Sequence, residues 1–529
     1  FLKARRDNIV EEAISHYEFL AREVDVVGSD KTEAFEVERL PSGDVHVIVR
    51  KISKKGVREQ KLYDRVFHPD ETREIRLYGL NADDVFEISG SSKKSIRIRV
   101  IGGDGEDLLT DSSRVRGIRK NTLFYDQMGQ GEMKSAGEVK NMRSTSALVN
   151  VYNRTSFEYD RLVPLVWGQF NPDDGIFIGA GFLFQKNGFR KEPFSQRHLF
   201  LASVAPETWS FNFRYQGKFT EAFGKWNLEI DADIKAPNYV NNFFGMGNES
   251  VFNDDIDDEP GIGVDKAIQY YRYRFEELSL FASVSRPLGG WGNVQFGPLL
   301  QRIEMEEPEA DEDRFIEEYA STLSTDLFNE YNTFGGIGWM FTVGRRDNEL
   351  FPQRGSVLSI SGRNLAGLNK DRDNFSAYEG SLSLFHSFTA RSRLIFAGRI
   401  GGGINTGTYQ FYQAQVLDGK THLRGFRKTR FYGDSKLYGN VEARLRMLTF
   451  RSYLFPATFG ILGFYDVGRI WYKNEEGIDP SAPSEKSRLW HKGWGGGVWF
   501  TPFNLTVLSL EAAHSKEGTL AYIRLGFLF

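Results

Sequence analysis

The chain has 529 residues, 40% hydrophobic and 14% aromatic, with a formal net charge of −4 and a mean hydropathy of −0.42. No apolar run approaches the ~20 residues of a membrane-spanning helix, and no basic tract interleaved with aromatics marks a nucleic-acid surface, so nucleic acid is not an expected partner. With 0 cysteines, disulfide scaffolds, thiolate zinc sites and cysteine nucleophiles are excluded.

In chain order, residues 1 to about 24 place Ile9, Ala13, Tyr17 and Leu20 at helical spacing between charges, which predicts one amphipathic helix. No basic and apolar exporting segment precedes Phe1, so a mature or partial chain is expected. From Ala34 to Asp126 the period falls to two, as in VHVIV and SIRIRV, and the helix with this β-module forms an expected first domain, 1–126. Inside it EIRLYGLNADDVF (Glu74 to Phe86) recurs as RIRVIGGDGEDLL (Arg97 to Leu109), the pattern of two strand-turn units stacked in parallel. GGDGEDLL also resembles one turn of a calcium-binding RTX repeat, which makes Asp84 and Asp107 the candidates for Ca²⁺; plain turns are the preferred reading, and no other cofactor or metal is expected.

Residues 127–156 are polar with little periodicity and read as a linker. Alternating segments of ten or more residues follow, separated by turn clusters such as NPDDG, APET, RPLGGWG and TARSR. Strands are predicted near 160–169, 175–186, 197–206, 208–220, 224–236, 267–287, 292–305, 331–345, 355–366, 375–388, 391–403, 434–449, 457–473, 489–501, 504–514 and 520–529. The fold class is therefore all-β: a 16-stranded antiparallel transmembrane β-barrel over 157–529 with an inward-folded loop, preceded by the small N-terminal β-rich module and its helix. The 44 Phe, 22 Tyr, 9 Trp and 54 Gly suit interfacial girdles and tight hairpins. Gly401–Gly403 and Gly495–Gly497 precede no helical pattern, so barrel kinks or close approach to the loop explain them better than phosphate binding. The acidic tract Glu304–Glu318 reads as a solvated loop, and the eight His show no metal spacing or triad.

Between the eleventh and twelfth strands, DGKTHLRGFRKTRFYGDSKLYGNVEARLRM (Asp418 to Met447) carries an Arg-Gly-aromatic triplet, followed by GFYDVGRIW. With NFFGMGNES (Asn242 to Ser250) and DNELFPQRGS (Asp347 to Ser356), this resembles the outer-membrane protein-assembly and translocation family typified by BamA and TamA, the bacterial surface antigen family. The resemblance implies a latch. An arginine in a partly desolvated lumen keeps its charge and needs carboxylates. Strand parity puts Glu442 on the polar face and lets Asp466, alternating with Phe464 and Gly468, face inward as well. Arg424 is thus expected to pair with Glu442 and Asp466, with Gly425 making the sharp turn and Phe426 packing on the inner wall.

The resemblance further implies a lateral seam between the first and last strands, with Pro164 and Val166 on one side and Tyr522, Phe527 and Phe529 on the other. Pro164 removes a ladder donor, which suits a poorly zipped strand and equally a closed wall. Implied partners are outer-membrane lipid and lipopolysaccharide, client outer-membrane proteins or secreted polypeptide, and lipoprotein subunits, with the N-terminal module in the periplasm of a Gram-negative bacterium. Two other readings stand beside assembly or translocation: a passive pore, receptor or structural subunit, and a membrane anchor. The anchor reading rests on Gly28 to Leu40 and EIRLYGL, which resemble a segment of Bacteroidetes relatives that follows a calcineurin-like phosphoesterase domain. No Asp/His metallophosphatase signature occurs in this chain, so it is not expected to be an enzyme itself.

Overall fold

The structure is a computed structural model. It describes residues 2–529 apart from 118–119, 136, 172–174, 260–261, 263, 265, 309–312, 324–327, 329, 370–372, 389–392, 452–454, 474–487 and 504–505. The chain divides into two compact units, Phe1–Phe157 and Glu158–Phe529.

The first unit opens with α1 (Leu2–Ala21), whose Ile9, Tyr17 and Leu20 remain exposed in the described unit. There follow β1 (Glu23–Val27), β2 (Glu33–Arg39), β3 (Val45–Ile52), β4 (Arg58–Phe67), β5 (Glu74–Asn81), β6 (Val85–Ser92), β7 (Arg97–Asp104), β8 (Leu108–Asp111), β9 (Arg114–Val115), β10 (Thr122–Tyr125), β11 (Glu132–Ser135) and β12 (Val139–Asn141). They form a two-sided solenoid. One wall runs β1-β5-β7-β10-β12 and the other β11-β8-β6-β2, extended by the β3–β4 hairpin. The repeat seen in the sequence is this stacking: Glu74 pairs Arg97 and Ile75 pairs Ile98 in parallel register. Phe35, Leu77, Phe86, Ile98, Val100 and Phe124 fill the core between the walls, where the inward side chains of each wall meet. Residues 127–156, expected as a linker, carry β11 and β12 and so continue the coils.

At one corner of two successive coils a buried acid pins the coil before it. Asp84 Oδ1 accepts the Glu33 amide at 2.7 Å, and Asp107 Oδ1 accepts the Asp84 amide at 2.9 Å. Their carboxyls pack over Gly79 and Gly102, where a Cβ would collide with them. At another corner Arg39, fully buried, donates to Ser95, Ile96, Ser113 and Thr122 and so crosses several coils at once.

The second unit is the barrel. Its wall begins with β13 (Arg161–Asn171), β14 (Gly175–Lys186), β15 (Gln196–Ala205), β16 (Ser210–Phe223) and β17 (Trp226–Asn242). A long loop holding α2 (Ala267–Tyr270) leads to β18 (Arg272–Pro287) and β19 (Gly292–Met305), and another holding α3 (Phe315–Leu323) leads to β20 (Asn332–Arg346). β21 (Gly355–Gly367), β22 (Phe375–Ser387) and β23 (Leu394–Gly407) precede a loop with two short strands, β24 (Gln415–Leu417) and β25 (Phe431–Gly433). The wall closes with β26 (Ser435–Arg451), β27 (Pro456–Trp471), β28 (His491–Pro502), β29 (Leu508–Ser515) and β30 (Gly518–Leu525). Among the described residues the order is β13 through β23, then β26 through β30, sixteen antiparallel strands in a closed ring.

Every predicted span holds a strand. Residues 267–270, expected at the start of the sixth, instead make the helical turn α2. The first positions of the spans predicted from 391 and 504 lie outside the described residues, as does part of the acidic tract. The last strand stops at Leu525 rather than 529, because Gly526 takes a positive φ of 103° and turns the chain out of the ladder. Alternation explains the wall: along β26 Tyr438, Asn440, Glu442 and Arg444 are buried while Val441 and Leu445 are exposed, the pattern of a polar lumen and an apolar outer face.

Candidate functional site

The loop between β23 and β26, residues 408–434, folds inward. Buried backbone needs partners, and both the loop and the wall supply them. β24 and β25 pair with each other. From across the lumen, the Asn242–Ser250 segment meets the loop through Asn242 Nδ2 donating to the Lys428 carbonyl and the Gly247 amide donating to the Tyr432 carbonyl at 2.7 Å.

At the tip of the loop, Arg424 and its carboxylate partners are 0% exposed. Its guanidinium grips Asp466 with two parallel bonds, Nε to Oδ2 at 2.7 Å and Nη2 to Oδ1 at 2.9 Å. Nη1 donates to Glu442 Oε1 at 2.6 Å and to Glu511 Oε2 at 3.3 Å. The Arg424 amide also donates to Asp466, and the guanidinium lies 3.5 Å from the centre of the Phe464 ring. This forked geometry is what arginine offers and lysine does not. Around it, Arg444 donates to Glu442 Oε2 at 2.8 Å and Arg524 lies 3.6 Å from Glu511. Three arginines thus face three carboxylates, which offsets the cost of burying either set.

The structure brings Arg424, Glu442 and Asp466 together as the sequence predicts. Gly425 has φ of +90°, a left-handed conformation disfavoured for other residues. Phe426 packs with Leu423, Phe431, Tyr438 and Ile470, and Gly468 leaves room for Leu417.

Tyr522 faces the loop, where its hydroxyl accepts from the Gly425 amide at 3.1 Å and donates to the Phe426 carbonyl at 3.0 Å. Phe527 packs near Trp499 and Phe351, and Phe529 near Phe385, both beyond the end of β30. Tyr522 therefore meets the loop from β30, and Phe527 and Phe529 lie past the end of that strand. Glu511, Arg444, Ser515 and Arg524 went unrecognised in the sequence, although Glu511 alternates with Leu510 and Ala512 in SLEAA. Gly493 was missed too: a Cβ there would collide with the Arg424 carbonyl.

The loop is fastened to the last hairpin at several levels. Arg524 donates to the carbonyls of Gly419 and Lys420, Ser515 Oγ to that of Gly425, and Arg430 to Glu517 at 2.8 Å. β30 in turn pairs with β29 throughout, from Leu508↔Leu525 to Ser515↔Gly518. Toward β13 the described strands share a single pair, Phe170↔Ile523. Pro164 pairs within β13–β14, and Val166 on that strand is 84% exposed.

In the first unit, Asp84 and Asp107 each spend one oxygen on the neighbouring coil. Burial, then the nearness of other acids including Asp83, pushes Asp84 up to about 9 and Asp107 up to about 7. Among the described residues no group of three or more His, Cys, Asp or Glu is gathered as metal ligands.

Comparison with known proteins gives a family and a fold. The profile of the Omp85 superfamily domain matches residues 202–520. No curated protein matches the chain. Among solved structures, BamA from Haemophilus ducreyi lacking POTRA domains 1–3 aligns at 12% identity over 70% of this chain and 70% of its own, with a TM-score of 0.50. CdiB from Escherichia coli aligns at 12% identity over 70% of this chain with a TM-score of 0.45, and CdiB from Acinetobacter baumannii at 13% over 69% with 0.42. The chain spans 64% and 59% of those two CdiB chains.

Proposed function

This chain belongs to the Omp85 superfamily, and from that premise we propose that it inserts outer-membrane proteins, or passes polypeptide or lipid, at the junction of β13 and β30. The observation that carries the reading is the single pair Phe170↔Ile523 at that junction, where neighbouring strands elsewhere are zipped along most of their length. An unpaired strand edge is a template for another strand, so a client hairpin can add to it by main-chain hydrogen bonds. The latch fixes one side of the junction by tying the inward loop to β29 and β30. On this reading the solenoid works in the periplasm, where clients and lipoprotein subunits reach it, and lipid and lipopolysaccharide surround the wall.

A cysteine pair at Phe170 and Ile523 tests it, since the chain has 0 cysteines of its own. Oxidation is expected to stop insertion of a client barrel into reconstituted membranes, and a reductant to restore it. Full insertion by the oxidised barrel sinks the proposal and leaves the pore or receptor reading, which ion conductance through the same membranes would report.

A further inference from the structure

On the outer wall, β22, β23, β26 and β27 enclose an open apolar groove of about 440 Å³. Its floor is Gly398, Ala443 and Gly463, and its rim is Leu384, Phe396, Val441 and Tyr465, exposed by 52%, 46%, 56% and 41%. The register makes the floor continuous: Phe396 pairs Ala443, Ala443 pairs Gly463, and Gly398 pairs Val441 beside them. The same cross-strand row continues through Gly496 and Ala512 to Ala521 on β30. Small residues flanked by bulky ones on a sheet leave a trough the width of a side chain.

We propose that this groove holds one acyl chain of a phospholipid, with the headgroup beside His386. What contacts the outer wall of an outer-membrane barrel at this depth is hydrocarbon, so the groove is continuous with an interface whose solvent is already lipid. Its shape separates a held chain from the passing ones, because a concave site surrounds its occupant where a convex wall touches only one side. The exposed, polar His386 pairs Phe396 near the short β22–β23 connection and suits a phosphate headgroup at that end. Behind the floor stand Glu442 and Phe464, which alternate with Ala443 and Gly463 and hold Arg424 from the lumen side. A seated chain therefore covers the outside of the wall that carries the latch.

The groove can be filled without disturbing the wall, because a Cβ on Gly463 has the Gly495 carbonyl at 3.9 Å as its nearest neighbour. The test is native mass spectrometry of the full chain purified from membranes in detergent, with fragmentation of the retained lipid. The wild type is expected to carry one phospholipid, Gly463→Leu and Ala443→Leu to retain about tenfold less, and Ala180→Leu on the exposed face of β14 to retain the wild-type amount. Heat-modifiable migration of each variant in gels shows whether it is folded. Equal retention by the folded filled variants overturns the proposal, as does a wild type that carries no lipid or that buries the groove in a dimer.

Discussion

Arg424 cannot shed its charge, and Glu442, Asp466 and Glu511 converge on it in direct contact. Replacing it by alanine leaves three buried carboxylates with two arginines and Asp466 without its forked partner, a loss of about 3–5 kcal/mol by comparison with other broken buried pairs. The expected readout is a lower temperature at which the folded barrel band disappears in gels. Arg424→Lys keeps the charge but not the fork and is expected to fall between the two; wild-type stability for both would remove the latch as a structural element. Arg424, Glu442 and Asp466 were legible because a loop motif names the first and strict alternation in β26 and β27 gives the inward face of the others. Glu511 was not, since β29 offers only eight residues of alternation and lies 87 positions from Arg424. The bonds of Tyr522 to the loop were not legible for a related reason: nothing in the sequence announces a loop amide and carbonyl waiting for its hydroxyl.

Among the elements, β30 has a ladder toward β29 and one pair toward β13, so the bonds from the loop add to what holds its free side. Tyr522→Phe combined with Ser515→Ala removes the bonds to Gly425 and Phe426, and faster hydrogen exchange is expected at 419–426 and across both hairpin strands, with β18 to β22 unchanged. Unchanged exchange in the hairpin would mean that the ladders to β28 and between its own strands hold it without the loop. The solenoid was partly legible. β5 and β7 repeat with their corner acids at a fixed 23-residue offset, as Glu74↔Arg97 shows. Thr122 then pairs Ile98 and Val139 pairs Thr122, offsets of 24 and 17, so the later coils lose the constant spacing that a sequence repeat requires and read as a linker.

At the scale of the whole molecule the two units respond differently to pH. Asp84 and Asp107 hold protons in the fold that the unfolded chain releases above about pH 4. Between about pH 4 and 9 the native solenoid therefore binds more protons than its unfolded chain, and its stability falls as pH rises, by at most about 1.4 kcal/mol per pH unit for each group. Calorimetry is expected to show the solenoid transition moving down over this window and flattening in Asp84→Asn/Asp107→Asn. Tryptophan emission, which comes from the barrel alone because all 9 Trp lie beyond residue 166, is expected to hold steady. A solenoid transition indifferent to pH would mean that these carboxyls are ionised in the fold. The barrel's own asymmetry acts on its surroundings. β29 and β30 have 8 residues each where β17 and β26 have 17, which at ~3.3 Å per residue and a ~40° tilt gives walls of roughly 20 Å and 43 Å. The lower wall falls short of the ~25 Å apolar band usual for such barrels. Hydrophobic mismatch is thus built into one side, and the bilayer there must pinch to meet it, which on the proposed function would shorten the depth of hydrocarbon that an entering strand has to cross.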